Sequence, residues 1–270
     1  MTNEQELLRD GLGKFLATRY DLESSRAAAK TGPGWQPTIW RSFADELGIL
    51  GAALPESAGG MGGGPVEVMV IAEELGRALV IEPYVDAVVV AGGLLARSGG
   101  TRAAAVLEAV GAGTAVVALA AGETSDRWED MSANAVRDGD AWVITGTKNA
   151  VVAAPLATHL LLAARAEDGL ALFLTEFDPA APPAGVQVHP YRTIDDRQAA
   201  DLVIDGLRLP ADALIAQDAW PSLELARDEG AAAVCAEAVG AMRTVLADTV
   251  AYCRQRQQFG QPIGGFQVLQ

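Results

Sequence analysis

The period of the hydrophobic pattern changes twice along these 270 residues, and the resulting order of segments constrains the fold more than any other feature. Over residues 1–112, apolar side chains recur at the 3.6-residue spacing of a helix packed on one face. Leu7, Leu8, Leu12, Phe15 and Leu16 predict a helix over 4–20, and Trp40, Phe43 and Leu47 a second over 40–47. The stretch from Pro55 to Gly64, PESAGGMGGG, reads as a loop. Pro65 then suits the first position of a helix running to Ala78, because its missing N–H is unsatisfied there in any residue. Further helices are predicted over 85–98 and 102–110.

From residue 113 to 218 the apolar runs shorten, and prolines 179, 182, 183 and 190 break any helix. Strand-like runs lie at 115–120, 158–165, 170–175, 186–189 and 201–203. Asp138-Gly139, set between two alternating stretches, signals a tight hairpin. From 219 the helical period returns, with Val234, Ala238, Met242, Leu246 and Val250 in one i+4 row. That helix is expected to stop near Gly260 and Pro262. Gly240 inside it costs about 1 kcal/mol relative to Ala, which close approach of another helix would explain. Phe266, Val268 and Leu269 suggest the beginning of another helix, so the third segment reads as incomplete or completed by another chain. The fold class expected is α+β: an N-terminal α-helical domain over 1–112, a central antiparallel β-domain, barrel- or sandwich-like, over 113–218, and the start of a C-terminal helical bundle over 219–270.

The charge balance narrows the function classes. A net charge of −15 argues against non-specific binding of nucleic acid or anionic membrane, and any anionic ligand would need a local arginine or N–H cluster. No apolar run approaches the roughly 20 residues of a membrane span, and the polar, acidic N-terminus MTNEQELLRD does not resemble a signal peptide. These features place the expected location in the cytoplasm. Cys235 and Cys253 lie on one predicted helix, about 27 Å apart by rise, far beyond the roughly 5.5 Å of a disulfide, and are read as packing residues. His159, in an apolar strand pattern, and His189, before Pro190, are read as structural, and no residues show metal spacing.

Four motifs then stand in a telling order. They are Leu54-Pro55-Glu56 with Gly59-Gly60-Met61-Gly62, Glu73-Glu74-Leu75-Gly76-Arg77, Gly146-Thr147-Lys148, and Arg256-Gln-Gln-Phe259-Gly260-Gln-Pro262-Ile263-Gly-Gly-Phe266-Gln267. They resemble the motifs of the acyl-CoA dehydrogenase family. The fourth is the most specific, matching R-x-x-F-G-x-P-I-x-x-F-Q at every position, and together they span nearly the whole chain. No G-x-G-x-x-G fingerprint is present, so a Rossmann-type dinucleotide site has no support. The resemblance is to a bacterial member, similar to the small subunit of a heteromeric enzyme whose C-terminal part is missing here. It implies FAD, an acyl-CoA substrate, an electron-transfer flavoprotein as acceptor, and a homo- or hetero-oligomer, such as a dimer of dimers, with FAD at the subunit interface. In the family the positions of Arg256, Gln258, Phe259 and Gln267 meet the adenosine-diphosphate half of a neighbouring subunit's FAD. A guanidinium near a helix C-terminus is placed favourably by the dipole and can fork onto a pyrophosphate.

The flavin-facing half departs from the family pattern. Its loop reads Glu123, Thr124, Ser125, Asp126, with Ser125 matched to the flavin contact; after Gly-x-Lys, Ala150-Val151-Val152 stands where an aromatic and a hydroxyl are usual. Val151 and Val152 are nevertheless the positions matched to the cofactor. At the start of the long helix, Gly230 and Ala231 replace the usual acid and arginine; Asp228 matches a substrate-binding position, while Glu229 is out of register. The usual catalytic Glu lies beyond Gln270, so the base is unknown. Three readings stand: an FAD-dependent acyl-CoA dehydrogenase subunit forming 2-enoyl-CoA, a catalytically silent partner that completes another subunit's FAD site, and an oxidase or monooxygenase on the same fold.

Overall fold

The computed structural model describes residues 1–125 and 130–269. Six α-helices and one π-helix build the first part. α1 (Asn3–Arg19) opens on a capping box formed by Thr2 and Gln5, α2 (Leu22–Thr31) on Asp21, whose side chain accepts the Ser24 N–H, and α3 (Pro37–Asp45) on Pro37. α4 (Pro65–Arg77) starts at the proline that marked it in the sequence. Tyr84–Ala91 is a π-helix that continues into α5 (Gly92–Ser98), followed by α6 (Gly100–Gly111). The sequence predicted one continuous helix over 85–98; the wider π turn lies within it. α2 was not predicted at all, because LESSRAAAKT buries only Ser25 and Ala29 and so lacks a large apolar stripe.

The middle part is an eight-stranded sheet: β1 (Val117–Ala120), β2 (Asn134–Asp138), β3 (Ala141–Val152), β4 (His159–Ala166), β5 (Gly169–Glu176), β6 (Val186–Arg192), β7 (Gln198–Pro210) and β8 (Leu214–Ala216). The path runs β6-β7-β3-β2-β4-β5-β8, with β1 beside β4. The expectation of an antiparallel domain needs correcting: β1 pairs with β4 in parallel, as does β2 through Asn134 and Arg165. Between β1 and β4 the chain makes a loop and the β2–β3 hairpin, so β4 re-enters in the direction of β1. Both faces of β4 and β5 are buried. Leu161, Ala163, Leu172 and Leu174 join the helical core, while Leu160, Leu162, Ala171 and Phe173 fill the β-domain's own core. Strand alternation thus explains why these segments read as unbroken apolar runs.

α7 (Trp220–Gln255) spans 36 residues and crosses α4 at two glycines. A Cβ built on Gly240 would sit 1.9 Å from Glu73 O, and one on Gly76 would sit 2.1 Å from Glu237 O. No side chain larger than hydrogen fits at either point, and the close approach inferred for Gly240 is to α4. Around the crossing, Arg243 pairs with Glu73, and the Thr244 hydroxyl donates to Arg77 O at 3.1 Å. Further ties are the Arg97–Glu229 pair at 2.9 Å and Arg197, from the turn before β7, donating to both oxygens of Glu237. By length and mean hydropathy α7 is long and apolar enough to cross a membrane, although no uninterrupted apolar run of that length is present. Glu237 and Arg243, two of the charged residues that interrupt it, are held in ion pairs. In its second half Met242, Val245 and Leu246 are exposed. After α7 the chain forms a small hairpin, β9 (Gln257–Gln258) and β10 (Gln261–Pro262), then two 3-10 turns at Ile263–Gly265 and Gln267–Leu269 in place of the helix start expected there.

The crossing predicts a reversal of helix propensity. Gly11→Ala in α1, with nothing within 4 Å of the new methyl, should stabilise by about 1 kcal/mol. Gly240→Ala should destabilise by about 1–3 kcal/mol, because α4 and α7 must separate. Urea unfolding of both variants measures the two signs.

Candidate functional site

A cavity of about 350 Å³ opens between the π-helix and the β-domain. Asp86 and Val90 form its helical wall; Leu119 of β1, Ala121, Gly122, Glu123 and Ser125 from the loop after it, and Asn149, Ala150 and Val152 at the end of β3 form the opposite wall. The loop is fastened to β3 by a buried ion pair. Lys148, 0% exposed, donates to Glu123 Oε1 at 2.8 Å, and the same carboxylate accepts from Ser132 N, Ser132 Oγ and Ala133 N. Burial alone pushes the Glu123 carboxyl up, but the lysine, the hydroxyl and the two N–H groups outweigh it and hold it at about 2. Burial lowers the Lys148 ammonium, against the opposing pull of Glu123. Gly146 permits the approach: its φ is +155°, and a Cβ there would lie 2.5 Å from Ala133 Cβ.

The residues predicted for the flavin face divide here. Ser125 lines the cavity and its hydroxyl donates to Asp130 at 3.1 Å; Val152 lines it too. Val151 does not. It is 1% exposed and its side chain packs in the β-domain core, on the other side of the strand from the cavity. A register shift between Lys148 and Val151 re-aims the strand, and Ala150 takes a left-handed φ of +51° in the shifted segment. Asp126 lies outside the described residues. Two acceptors at this cavity have no partner among the described residues: Asn149 Oδ1 and Asp86 Oδ2, both shielded from solvent.

The residues predicted for the adenosine half sit at the other end of α7. Arg256 leaves the helix in an extended conformation (φ −71°, ψ 118°) and its exposed guanidinium makes no contact with a described residue. Phe259, at the hairpin tip, is 93% exposed with φ +52°, its ring edge-on to Phe266 at 6.4 Å. Gln258 donates to Gln257 O, and Gln267 is exposed. Glu237 is electrostatically coupled to Asp86 in the cavity wall. Arg256 follows Glu237 by nineteen residues, about 28 Å of helix rise. The two predicted halves therefore occupy separate places, one on the hairpin past the end of α7 and the other at the cavity.

On the substrate side, Asp228 is exposed, its carboxylate 3.8 Å from Arg227. Glu229, one helical step of about 100° further round, is the acid turned inward, where with Arg97 it borders a second, apolar cavity of about 320 Å³ between α4, α5 and α7. His159 is half-buried, its Nδ1 2.9 Å from the Thr158 hydroxyl, and His189 is exposed. Cys253 is partly buried; Cys235, expected to pack, is exposed. Among the described residues no cluster suits a metal ion.

The order of helical part, sheet and long helix is matched by known proteins. Residues 2–103 match the model of the acyl-CoA dehydrogenase N-terminal domain, and residues 220–270 match that of the acyl-CoA dehydrogenase C-terminal domain. The chain belongs to the acyl-CoA dehydrogenase family. It is 29% identical over 269 residues to the acyl-CoA dehydrogenase IpdE2 of Mycolicibacterium smegmatis, covering 100% of this chain and 70% of that relative. The ChsE4–ChsE5 complex from Mycobacterium tuberculosis superimposes with a TM-score of 0.85 at 27% identity, over 99% of this chain and 71% of the other. A glutaryl-CoA dehydrogenase from Mycobacterium smegmatis, in complex with FADH2, shares the fold with a TM-score of 0.89 at 22% identity, over 100% of this chain and 70% of that one.

The ion pair that holds the cavity wall makes its own prediction. Glu123→Gln or Lys148→Met alone strands a buried charge or donor and should cost about 3–5 kcal/mol, while the double variant should recover most of that loss. The Glu123 contribution should be fully present above pH 4.5 and fall away as the pH drops toward about 2. Denaturant unfolding of the four proteins across this range checks both statements.

Proposed function

We propose that this acyl-CoA dehydrogenase chain works as one subunit of an FAD-dependent assembly that converts an acyl-CoA to its 2-enoyl-CoA. The observation that supports it is the distance between the exposed Arg256–Phe259 hairpin and the chain's own cavity. A hairpin that presents an uncommitted guanidinium and an exposed aromatic ring is suited to a ligand held by another chain. Arg256 would fork onto the pyrophosphate, Phe259 would cover an apolar face, and the amides of Gln258 and Gln267 would take the remaining polar atoms. The exposed Met242, Val245 and Leu246 on the same stretch of α7 favour burial against a neighbour.

In the cavity, Ser125, Asn149 and Val152 stand where the ring system would rest, and the Glu123–Lys148 pair keeps their wall rigid. The flavin, when bound, supplies the two-electron acceptor for the dehydrogenation, and an electron-transfer flavoprotein suits the onward step. The chain's residues bind, orient and exclude water.

A second reading has an observation of its own. Ala150 offers no aromatic ring to stack and Val152 no hydroxyl to donate, so the chain's own wall suits a flavin less than its hairpin does. In that reading the chain is a silent partner that completes the FAD site of a second, active subunit. ChsE4–ChsE5, a complex of two differently named chains of this fold, is a precedent for such pairing.

A visible spectrum of the purified protein, with the mass of the oligomer, tests the proposal. Near one FAD per chain in the protein expressed alone supports the first reading. FAD acquired only on co-expression with a second family member supports the second. In either case Arg256→Ala should weaken FAD affinity by roughly 10-fold or more without changing the melting temperature of the FAD-free protein, the loss expected for a charge-assisted bidentate contact of about 1.5–3 kcal/mol. Colourless protein under both conditions would contradict both readings.

A further inference from the structure

The π-helix Tyr84–Ala91 reads YVDAVVVA, one acid in an otherwise apolar segment packed into the helical core. Asp86 and Val90 are four residues apart and share the face that forms the cavity wall. Asp86 Oδ2 is shut off from solvent and accepts no hydrogen bond. An unsatisfied buried acceptor costs about 1–3 kcal/mol, more for a charged group, so its place in this wall calls for a partner. Single π turns of this kind frequently mark functional sites, because the extra residue re-aims one side chain.

Among the described residues none donates to Asp86 Oδ2. Arg197 is near enough to bias the ionisation of Asp86, but its Nη2 donates to both oxygens of Glu237, and its Nε lies 3.6 Å from Asp195. Across the cavity, the Asn149 N–H donates to Gly122 O, the Ala150 N–H to Asp201 Oδ1 and the Ser125 hydroxyl to Asp130. Glu123 and the unpaired Asn149 Oδ1 are further acceptors. The described lining is thus rich in acceptors, and a ligand that brings a donor suits Asp86. Asn149 belongs to the strip at the end of β3 given above to the flavin. Asp86 stands on the opposite, helical wall, where Val90 is its apolar neighbour, and it faces whatever lies on the other side of the ring.

We propose that Asp86 is a specificity-determining residue that accepts a hydrogen bond from a hydroxyl group carried on the acyl chain. The site then selects hydroxylated acyl thioesters over plain alkyl ones, since the plain chain leaves the carboxylate unpaired against hydrocarbon. The inference rests on the acyl-CoA reading of the cavity and adds the chemical class of the acyl group.

The test uses the purified assembly and equilibrium binding, independent of turnover. Octyl-CoA thioether is titrated calorimetrically beside a set of hydroxyoctyl-CoA thioethers in which the hydroxyl is moved along the chain. At least one hydroxylated ligand should bind roughly 10-fold or more tighter than octyl-CoA. Asp86→Ala should abolish that preference and tighten octyl-CoA binding. Asp86→Asn, which keeps a carbonyl oxygen in place, should retain part of it. Both variants should melt at or above the temperature of the unsubstituted protein, since an unpaired buried carboxyl is removed, and this separates lost recognition from lost folding. Equal affinities for all the thioethers, or an Asp86→Ala variant that weakens every ligand by one common factor, would overturn the proposal while leaving the acyl-CoA reading intact. Binding of none of them would overturn both.

Discussion

The contact at Gly76 and Gly240 is the constraint on which the rest of the structure depends. Two backbones meet there closely enough that only hydrogen fits between them, with Glu73 O and Glu237 O as the opposing atoms. That single crossing sets the direction of a 36-residue helix, and the direction settles three other things. It turns Glu229 toward Arg97 at the apolar cavity, it places Glu237 to hold Arg197 behind Asp86, and it carries the Arg256–Phe259 hairpin far from both. Packing of this kind is discrete: helices cannot slide continuously past a glycine pair, so the separation of hairpin and cavity is a built dimension of the molecule.

A second fixed point works on the β side. Lys148 is buried without any exposure because Glu123 meets it, and Glu123 is in turn held by Ser132 and Ala133. The loop after β1 is thereby tied to the strand whose end lines the cavity. A wall made of Ala121, Gly122, Ala150 and Val152 has little side-chain bulk of its own. Its shape comes from the backbone that the ion pair and the register shift at Lys148 and Val151 impose.

Much of this architecture was legible in the sequence, and the exceptions have physical causes. The long helices, the Asp138-Gly139 hairpin and the buried strands announce themselves through local period, because each buries a face made of its own neighbours. α2 escaped because its buried face is Ser25 and Ala29, too small to register as hydrophobic. The parallel pairing of β1 with β4 joins residues more than forty positions apart, and nothing in either strand encodes the partner's direction. The π turn and the bulge before Val151 are answers to packing, so the sequence neither singles out Asp86 nor shows which way the Val151 side chain points. For the same reason the sequence does not show that Glu229, and not Asp228, turns toward Arg97: one residue is about 100° of helix, and the register is set by Gly240, not by the acids themselves. The Glu123–Lys148 pair spans twenty-five positions and leaves only a Gly-x-Lys trace. The family motif over 256–267 was legible as residues, but its standing out from the fold, away from the cavity, was visible only in three dimensions.

These features describe a subunit whose Arg256–Phe259 hairpin and cavity lie at separate places, and the account's central proposal is that the FAD site is shared between chains. A structure of the assembled protein with FAD bound is the most direct measurement of that claim. The account predicts the pyrophosphate within hydrogen-bond distance of Arg256 of one subunit and the isoalloxazine against the β-domain wall of another. A dinucleotide lying wholly within one chain, with Arg256 turned to solvent, would contradict it.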